Sequence, residues 1–350
     1  MKDGSPLKLL DLSPDELIKF ANSLGEKDYR GKQLAAWLFR RGAQDFASMT
    51  DISAKLKALI AKHGQIEPLA NLIAHDKSPD GAIKLLFSLY DGHKIESVLI
   101  SEADHYTLCV SSQVGCPLAC SFCRTGTLGF TRNLSSGEIL SQILIARKIA
   151  HSQGYKLTNL VFMGMGEPLL NTEEVLKSIQ IIVDPQYLAI PKRQVTLSTV
   201  GLVKGINTLG ASALKISLAV SLNSANEEKR ALLMPGACQE KLESLKDALL
   251  AYPLPPGRRI TIAYVVLKGV NHSPKDAKEL IRFLSGLKVK INLIPFNPWP
   301  KAPYERPCEE EMESFKKILT DKNYTVMVRK SYGSDVSAAC GQLVGMSNNN

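Results

Sequence analysis

The chain has 350 residues, 45% of them hydrophobic, with 43 Lys and Arg against 34 Asp and Glu and a net charge of +9. That composition buries a sizeable core and excludes a disordered or fibrous chain. No apolar run of about eighteen residues or more is present and the N-terminal stretch is charged throughout, which excludes a membrane-spanning helix and a secretory signal and predicts a cytoplasmic protein. Seven cysteines in a reducing compartment point to metal binding or catalysis before disulfides. The positive charge favours an acidic partner, nucleic acid above all.

Residues 1–70 read as a helical accessory domain. Ser13-Pro14-Asp15-Glu16 is a capping box with proline at the first helical position, and Leu17, Ile18, Phe20 and Ala21 follow at helical spacing up to Gly25. The pattern predicts further helices over 31–41 and 53–63. With 11 basic and 9 acidic residues, this unit has little net charge. Residues 80–100 alternate apolar and polar around Asp91-Gly92, which predicts a β-hairpin, so 71–105 form a hairpin extension and linker. The core, 106–350, alternates strand and helix. Strands are expected at 106–111, 159–163, 194–197, 215–220, 260–266 and 290–294, with 325–329 as an additional one. Helices between them include 137–151, 173–183, 240–251 and 275–284. Six βα units argue for a parallel sheet. A closed barrel needs eight, so an incomplete barrel or open sheet fits better, with its chemistry just beyond the strand ends.

The strongest signal is Cys116-Pro-Leu-Ala-Cys120-Ser-Phe-Cys123, three thiols directly after a predicted strand. Thiolates select zinc or iron–sulfur clusters. Zinc commonly takes four ligands in paired knuckles, and no second knuckle lies nearby in sequence. Three thiolates on a four-iron cluster leave one iron open to a small molecule. A zinc site completed by a distant His or Cys is the alternative.

The CxxxCxxC spacing, with Phe122 ahead of the last cysteine, resembles the signature of the radical S-adenosylmethionine (SAM) superfamily. The likeness extends to the runs 107–116 and 129–134, to Met163-Gly-Met-Gly-Glu-Pro-Leu-Leu-Asn171 and to Ala338-Ala-Cys340-Gly-Gln-Leu343. Over these stretches the chain resembles the RlmN family of dual-specificity RNA adenine-C2 methyltransferases. The resemblance implies an α/β fold, an incomplete (βα)6 TIM-like radical SAM barrel with the helical domain as an RNA-docking accessory and the hairpin as an extension. It implies one [4Fe-4S] cluster on Cys116, Cys120 and Cys123, and two SAM molecules per turnover, as methyl donor and radical source. The implied SAM contacts are Gly166, Glu167, Ser198, Ser221, Leu222, Asn223 and Asn297. The implied substrates are adenine 2503 of 23S rRNA, in the peptidyl transferase centre, and adenine 37 of tRNA. A flavodoxin or ferredoxin is the implied electron donor, and no membrane is involved.

Adenine C2 is not nucleophilic, so ordinary methyl displacement from SAM cannot reach it. The family's mechanism methylates Cys340, turns that methyl into a methylene radical and adds it to C2. Cys109 then releases the covalent protein–RNA adduct by disulfide formation, attacking as a thiolate. Glu96 falls at the family's proton acceptor, although Cys109 is a second candidate for the C2 proton. Taken alone, Glu96 is a solvent-facing strand residue, Cys109 and Cys340 are small buried apolar residues, and the serines, asparagines and glycines are turn chemistry. The small neighbours of Cys340 suit a flexible loop. Met163 is expected near the cluster, and Cys238 and Cys308 match nothing. Of the net charge, +6 lies in 251–350, where Arg258, Arg259, Lys288, Lys290, Lys301, Arg306, Arg329 and Lys330 are candidate phosphate contacts. The 124–132 segment and Arg40-Arg41 are further candidates. Arg124, Val200 and Asn223 stand where the family often has Ala, Ser and His. Two alternatives stay open: an adenine-C8 rRNA methyltransferase of the related resistance type, and a zinc-bearing RNA-binding protein without catalysis.

Overall fold

The computed structural model describes residues 6–237 and 239–345, so Cys238 and the tail 348–350 lie outside the described residues. The helical unit forms as its sequence requires. Helix α1 (Pro14–Ser23) starts on the predicted capping box, with Ser13 and Glu16 each bonding the other's backbone N–H. Helix α2 (Asp28–Ala35) continues into a π-helical turn over Ala36–Arg41 and stops at Gly42, which takes the left-handed φ of 64°. Helix α3 (Ala54–His63) is capped by Ser53. Gly31 lets α1 and α2 touch: a Cβ there would lie 2.4 Å from the Cα of Ile18.

Strands β1 (Ala70–Lys77), β2 (Ile83–Leu89) and β3 (Lys94–Ser101) are antiparallel. The last two are the predicted hairpin, and β1 is an extra strand that the sequence reading did not include. Antiparallel pairing of β3 with β4 (His105–Cys109) makes the hairpin part of the main sheet. From β4 onward the sheet is parallel, through β5 (Lys156–Phe162), β6 (Val195–Thr199), β7 (Ser217–Ser221), β8 (Ile260–Val266), β9 (Val289–Pro295) and β10 (Val326–Val328). All seven predicted core strands form. One starts late: Lys215 takes a left-handed φ of 48°, so β7 begins at Ser217.

Six crossovers return the chain between parallel strands. They carry α4 (Ser136–Ser152), α5 (Thr172–Val183), α6 (Val203–Ala211), α7 (Glu227–Leu233) with α8 (Leu242–Ala251), α9 (Pro274–Leu284) and α10 (Glu309–Thr320). Strand order follows sequence order across the ten-stranded sheet, from β1 at one edge to β10 at the other. The sheet is therefore an incomplete α/β barrel with a three-stranded extension. The helical unit docks on the start of α4, where Asp11 Oδ1 accepts from the Gly137 N–H at 2.9 Å and Ser141 Oγ accepts from the Leu69 N–H at 2.9 Å. Among the described residues no helix is long and apolar enough to cross a membrane.

Gly31→Ala should push α1 from α2 and destabilise the protein by about 1–3 kcal/mol, read as a lower denaturant midpoint.

Candidate active site

Parallel pairing puts the carboxyl ends of β4 to β9 on one rim, where the segments after each strand meet. The cysteine triple follows β4 through a short ribbon that pairs Gln113–Gly115 with Phe130–Asn133. Burial pushes the Cys116 thiol up to about 12, and it raises Cys120 and Cys123 as well. The N–H of Leu118 faces Cys116, and the N–H groups of Gly126 and Thr125 with the Thr125 hydroxyl face Cys123, each favouring a thiolate. Such N–H donors also tune cluster sulfurs. The charges of Cys116 and Cys123 both reach Cys120, so the three thiols face one another. Among the described residues no group of three or more His, Cys, Asp or Glu converges closely enough for a single metal ion. Three thiols carried on one short loop fit a polynuclear cluster, in which each ligated iron takes its own thiolate.

The segment after β9 braces this loop. Ser121 Oγ meets Tyr304 Oη at 2.7 Å, and Trp299 Nε1 donates to the Phe122 carbonyl at 3.2 Å. Phe122 packs against an apolar cluster with Leu118, Val200, Leu233 and Phe296.

Cys109 ends β4 and is buried. Burial pushes its thiol far up, the charge of Cys340 adds to this, and the Met163 N–H opposes both. Cys340 is pushed up to about 11, by burial and then by Cys123. Its surface is exposed although protein surrounds it closely, as for a side chain lining a cleft. It thus lies within electrostatic reach of both Cys109 and Cys123.

The segment carrying Cys340 is stitched down rather than loose. Arg124 N–H donates to the Gly341 carbonyl at 2.7 Å and Thr125 Oγ1 to the Leu343 carbonyl at 2.7 Å. Asn297 Nδ2 donates to the Cys340 carbonyl at 3.2 Å, and Gln342 Nε2 to the Pro298 carbonyl at 2.7 Å. The Val344 N–H donates to Glu96 Oε2 at 2.7 Å. Glu96 is fully buried on β3, against the solvent-facing position that its strand pattern suggested. Burial raises its pKa, while the Val344 N–H and Lys84 oppose the shift.

The predicted SAM residues fare differently. Gly166 has φ 100°, and a Cβ there would lie 2.5 Å from Gln113 Cβ, so the turn needs glycine. Glu167 accepts from the Val200 N–H at 2.9 Å and the Leu169 N–H at 3.0 Å, and its charge is felt at Cys116 and Cys120. The Ser198 and Ser221 hydroxyls meet at 3.5 Å across β6 and β7. Leu222 is fully buried. Asn223, at φ 56°, spends its amide on the Val265 N–H and the Met234 sulfur. Asn297 joins Cys340 to Arg306, whose Nη1 donates to its Oδ1 at 3.1 Å.

Residues 7–66 match the family model for the ribosomal RNA large subunit methyltransferase N-terminal domain, and 110–284 match that of the radical SAM superfamily. The dual-specificity RNA methyltransferase RlmN of Solidesulfovibrio magneticus is 45% identical over 338 residues, covering 96% of this chain and 95% of that one. RlmN of Geobacter sulfurreducens is 45% identical over 334 residues, covering 95% and 91%. A radical SAM methyltransferase from Sphaerobacter thermophilus superposes with a TM-score of 0.92 at 39% identity, over 97% of this chain and all of that one. The chain belongs to the RlmN family of radical SAM RNA methyltransferases. Membership of that superfamily implies a [4Fe-4S] cluster and SAM.

Within this RlmN-family chain, the sequence reading missed Arg230. Fully buried, it donates to the carbonyls of Val200 at 2.6 Å and Ala237 at 3.0 Å, and its charge opposes the rise of the Cys120 thiol. Nothing in the local sequence separates it from a solvated helix cation. The candidate phosphate contacts also divide. Arg132 is held by Asp91 and Glu138, and Arg306 by Asn297 and the Phe296 carbonyl. Arg258, Arg259, Lys288 and Lys290 stand at the amino ends of β8 and β9, away from the rim.

Burial pushes Glu167 up to about 7, so the folded chain holds this proton more tightly than the unfolded one. The stability linked to it is complete below the ordinary value of 4.5 and is lost as pH rises towards 7. The loss is on the order of 3 kcal/mol. In the metal-free protein, Glu167→Gln should flatten the fall of the denaturant midpoint across that window.

Proposed function

We propose that this enzyme methylates C2 of adenine, at adenine 2503 of 23S rRNA and adenine 37 of tRNA, through a methylated Cys340 and a covalent protein–RNA adduct. The observation that carries the reading is that Cys340, far from Cys109 and Cys123 in sequence, lies within electrostatic reach of both. Cys116, Cys120 and Cys123 hold the [4Fe-4S] cluster, while Gly166, Glu167, Ser198, Asn297 and the 221–223 turn border the SAM site. Bound there, cluster and SAM supply the methyl group and the radical that withdraws hydrogen from it, two SAM being used per turnover. A flavodoxin or ferredoxin supplies the electron.

The chain's own groups do the rest. Cys340 carries the methyl carbon to C2 and stays bonded to the RNA through it. Glu96 takes the proton from C2, and the one electron that the ring must shed to close its shell would return to the cluster that supplied it. Cys109 rests as a thiol and must lose its proton to act. Its thiolate attacks the Cys340 sulfur, and the sulfur–sulfur bond forms as the carbon–sulfur bond to RNA breaks. That electron pair passes to the adenine methylene, which takes a proton and becomes the methyl group. Residues 1–70 dock the RNA, 71–105 extend the sheet that carries Glu96, and 106–350 form the catalytic core.

Cys109→Ala should accumulate a covalent protein–RNA adduct, seen as an RNA-dependent band shift, and Cys340→Ala should form none. Full methylation by Cys340→Ala would sink the two-thiol scheme. Nucleoside mass spectrometry must find 2-methyladenine; 8-methyladenine would assign the enzyme to the resistance type. An anaerobic preparation should hold about four iron and four sulfide per chain, and a colourless zinc protein would overturn the cluster.

A further inference from the structure

The sheet interior holds an ion pair that the mechanism above does not use. Lys84 on β2 lies opposite Val98, and Glu96 on β3 lies opposite Leu86, so the two side chains share a face. Lys84 Nζ stands 3.7 Å from Glu96 Oε1, with the two side chains only 3% and 1% exposed. Desolvating an ammonium is costly, and an apolar pair of the same volume serves stability as well or better. Stability alone therefore does not account for a lysine here.

The surroundings of Glu96 point to a chemical reason. Its Oε2 accepts the Val344 N–H, while Oε1 is buried without a hydrogen bond. The charged groups facing this carboxylate are Lys84, from β2, and Arg124, from the cysteine loop, with the N–H groups of Val344 and Gly345 beside them. Beyond Lys84, on β1, Asp76 Oδ2 lies 3.5 Å from the ammonium and is 41% exposed. Burial favours the protonated carboxyl, which could accept nothing, and an adjacent cation opposes that shift.

We propose that Lys84 is a positioning residue for methyl transfer: its ammonium favours the ionised form of Glu96 inside the sheet while leaving Oε1 without a hydrogen bond and able to take the C2 proton. This rests on the reading of Glu96 as proton acceptor. Removing an opposite charge at such a distance moves a carboxyl by roughly one to three pH units. The direction is upward, since the cation favours the charged form.

The test is the pH profile of single-turnover RNA methylation by holoenzyme already methylated on Cys340. Lys84→Met should move the acid limb up by at least about one unit, a tenfold or larger loss on that limb, and Lys84→Arg should restore it. Methyl loading of Cys340, measured by peptide mass, does not use Glu96 and reports whether each variant folds. An unmoved profile in a folded Lys84→Met protein overturns the proposal. If Lys84→Met does not load, Asp76→Asn tests the same pair: losing the outer carboxylate should shift the limb down, and an unmoved or raised limb overturns the proposal. Glu96→Gln keeps the two ideas apart. Full activity there removes the proton acceptor itself, whereas an inactive Glu96→Gln beside an unmoved Lys84→Met removes Lys84 alone.

Discussion

Backbone hydrogen bonds, more than apolar packing, place Cys340. The segment 339–345 has few large side chains with which to anchor itself. It is held instead by the Arg124 N–H, the Thr125 hydroxyl, the Asn297 amide and the Glu96 carboxylate. Such bonds are directional, and each fixes the position of one peptide unit. The result is a cysteine whose main chain is located closely while the residue keeps an exposed surface. The same ties join the cysteine loop to the C-terminal segment, so the two regions keep a common geometry.

Glu96 is the point where several demands meet. Its Oε2 holds Val344, its carbonyl accepts the Ser111 hydroxyl at 2.5 Å, and its Oε1 faces Lys84. Glu167 holds a comparable place on the other side of the rim, tying β6 to the loop after β5. Both carboxylates are buried, and burial raises both. Only Glu96 has a buried lysine beside it among the described ion pairs. That difference separates a carboxylate with one oxygen free of hydrogen bonds from one whose two oxygens hold backbone.

Much of this was legible beforehand. The capping box at Ser13, the turn at Asp91-Gly92 and the seven parallel strands depend on local signals that survive folding unchanged. The cysteine triple needed only its spacing. Other features were hidden because they depend on contacts across the chain. A period-2 pattern puts Glu96 on one face of β3 but cannot say whether that face is covered. Arg132 and Arg306 look like free cations until their partners at Asp91, Glu138 and Asn297 are brought to them. Asn223 resembles a ligand in an exposed turn, yet its amide is turned inward.

What the sequence by itself determined is the set of chemical groups and their local frames: three thiols in one loop, a glycine before Glu167, and strands that end where reactive side chains begin. Spacing and turn chemistry are short-range, so a linear chain records them. What only the tertiary structure decided is which groups share a low-dielectric site. Lys84 meets Glu96, Cys340 comes within electrostatic reach of Cys109, and Arg230 within that of Cys120, because a sheet and its crossovers fold distant segments together. Burial and charge proximity are three-dimensional quantities, and they set the protonation states on which the chemistry depends.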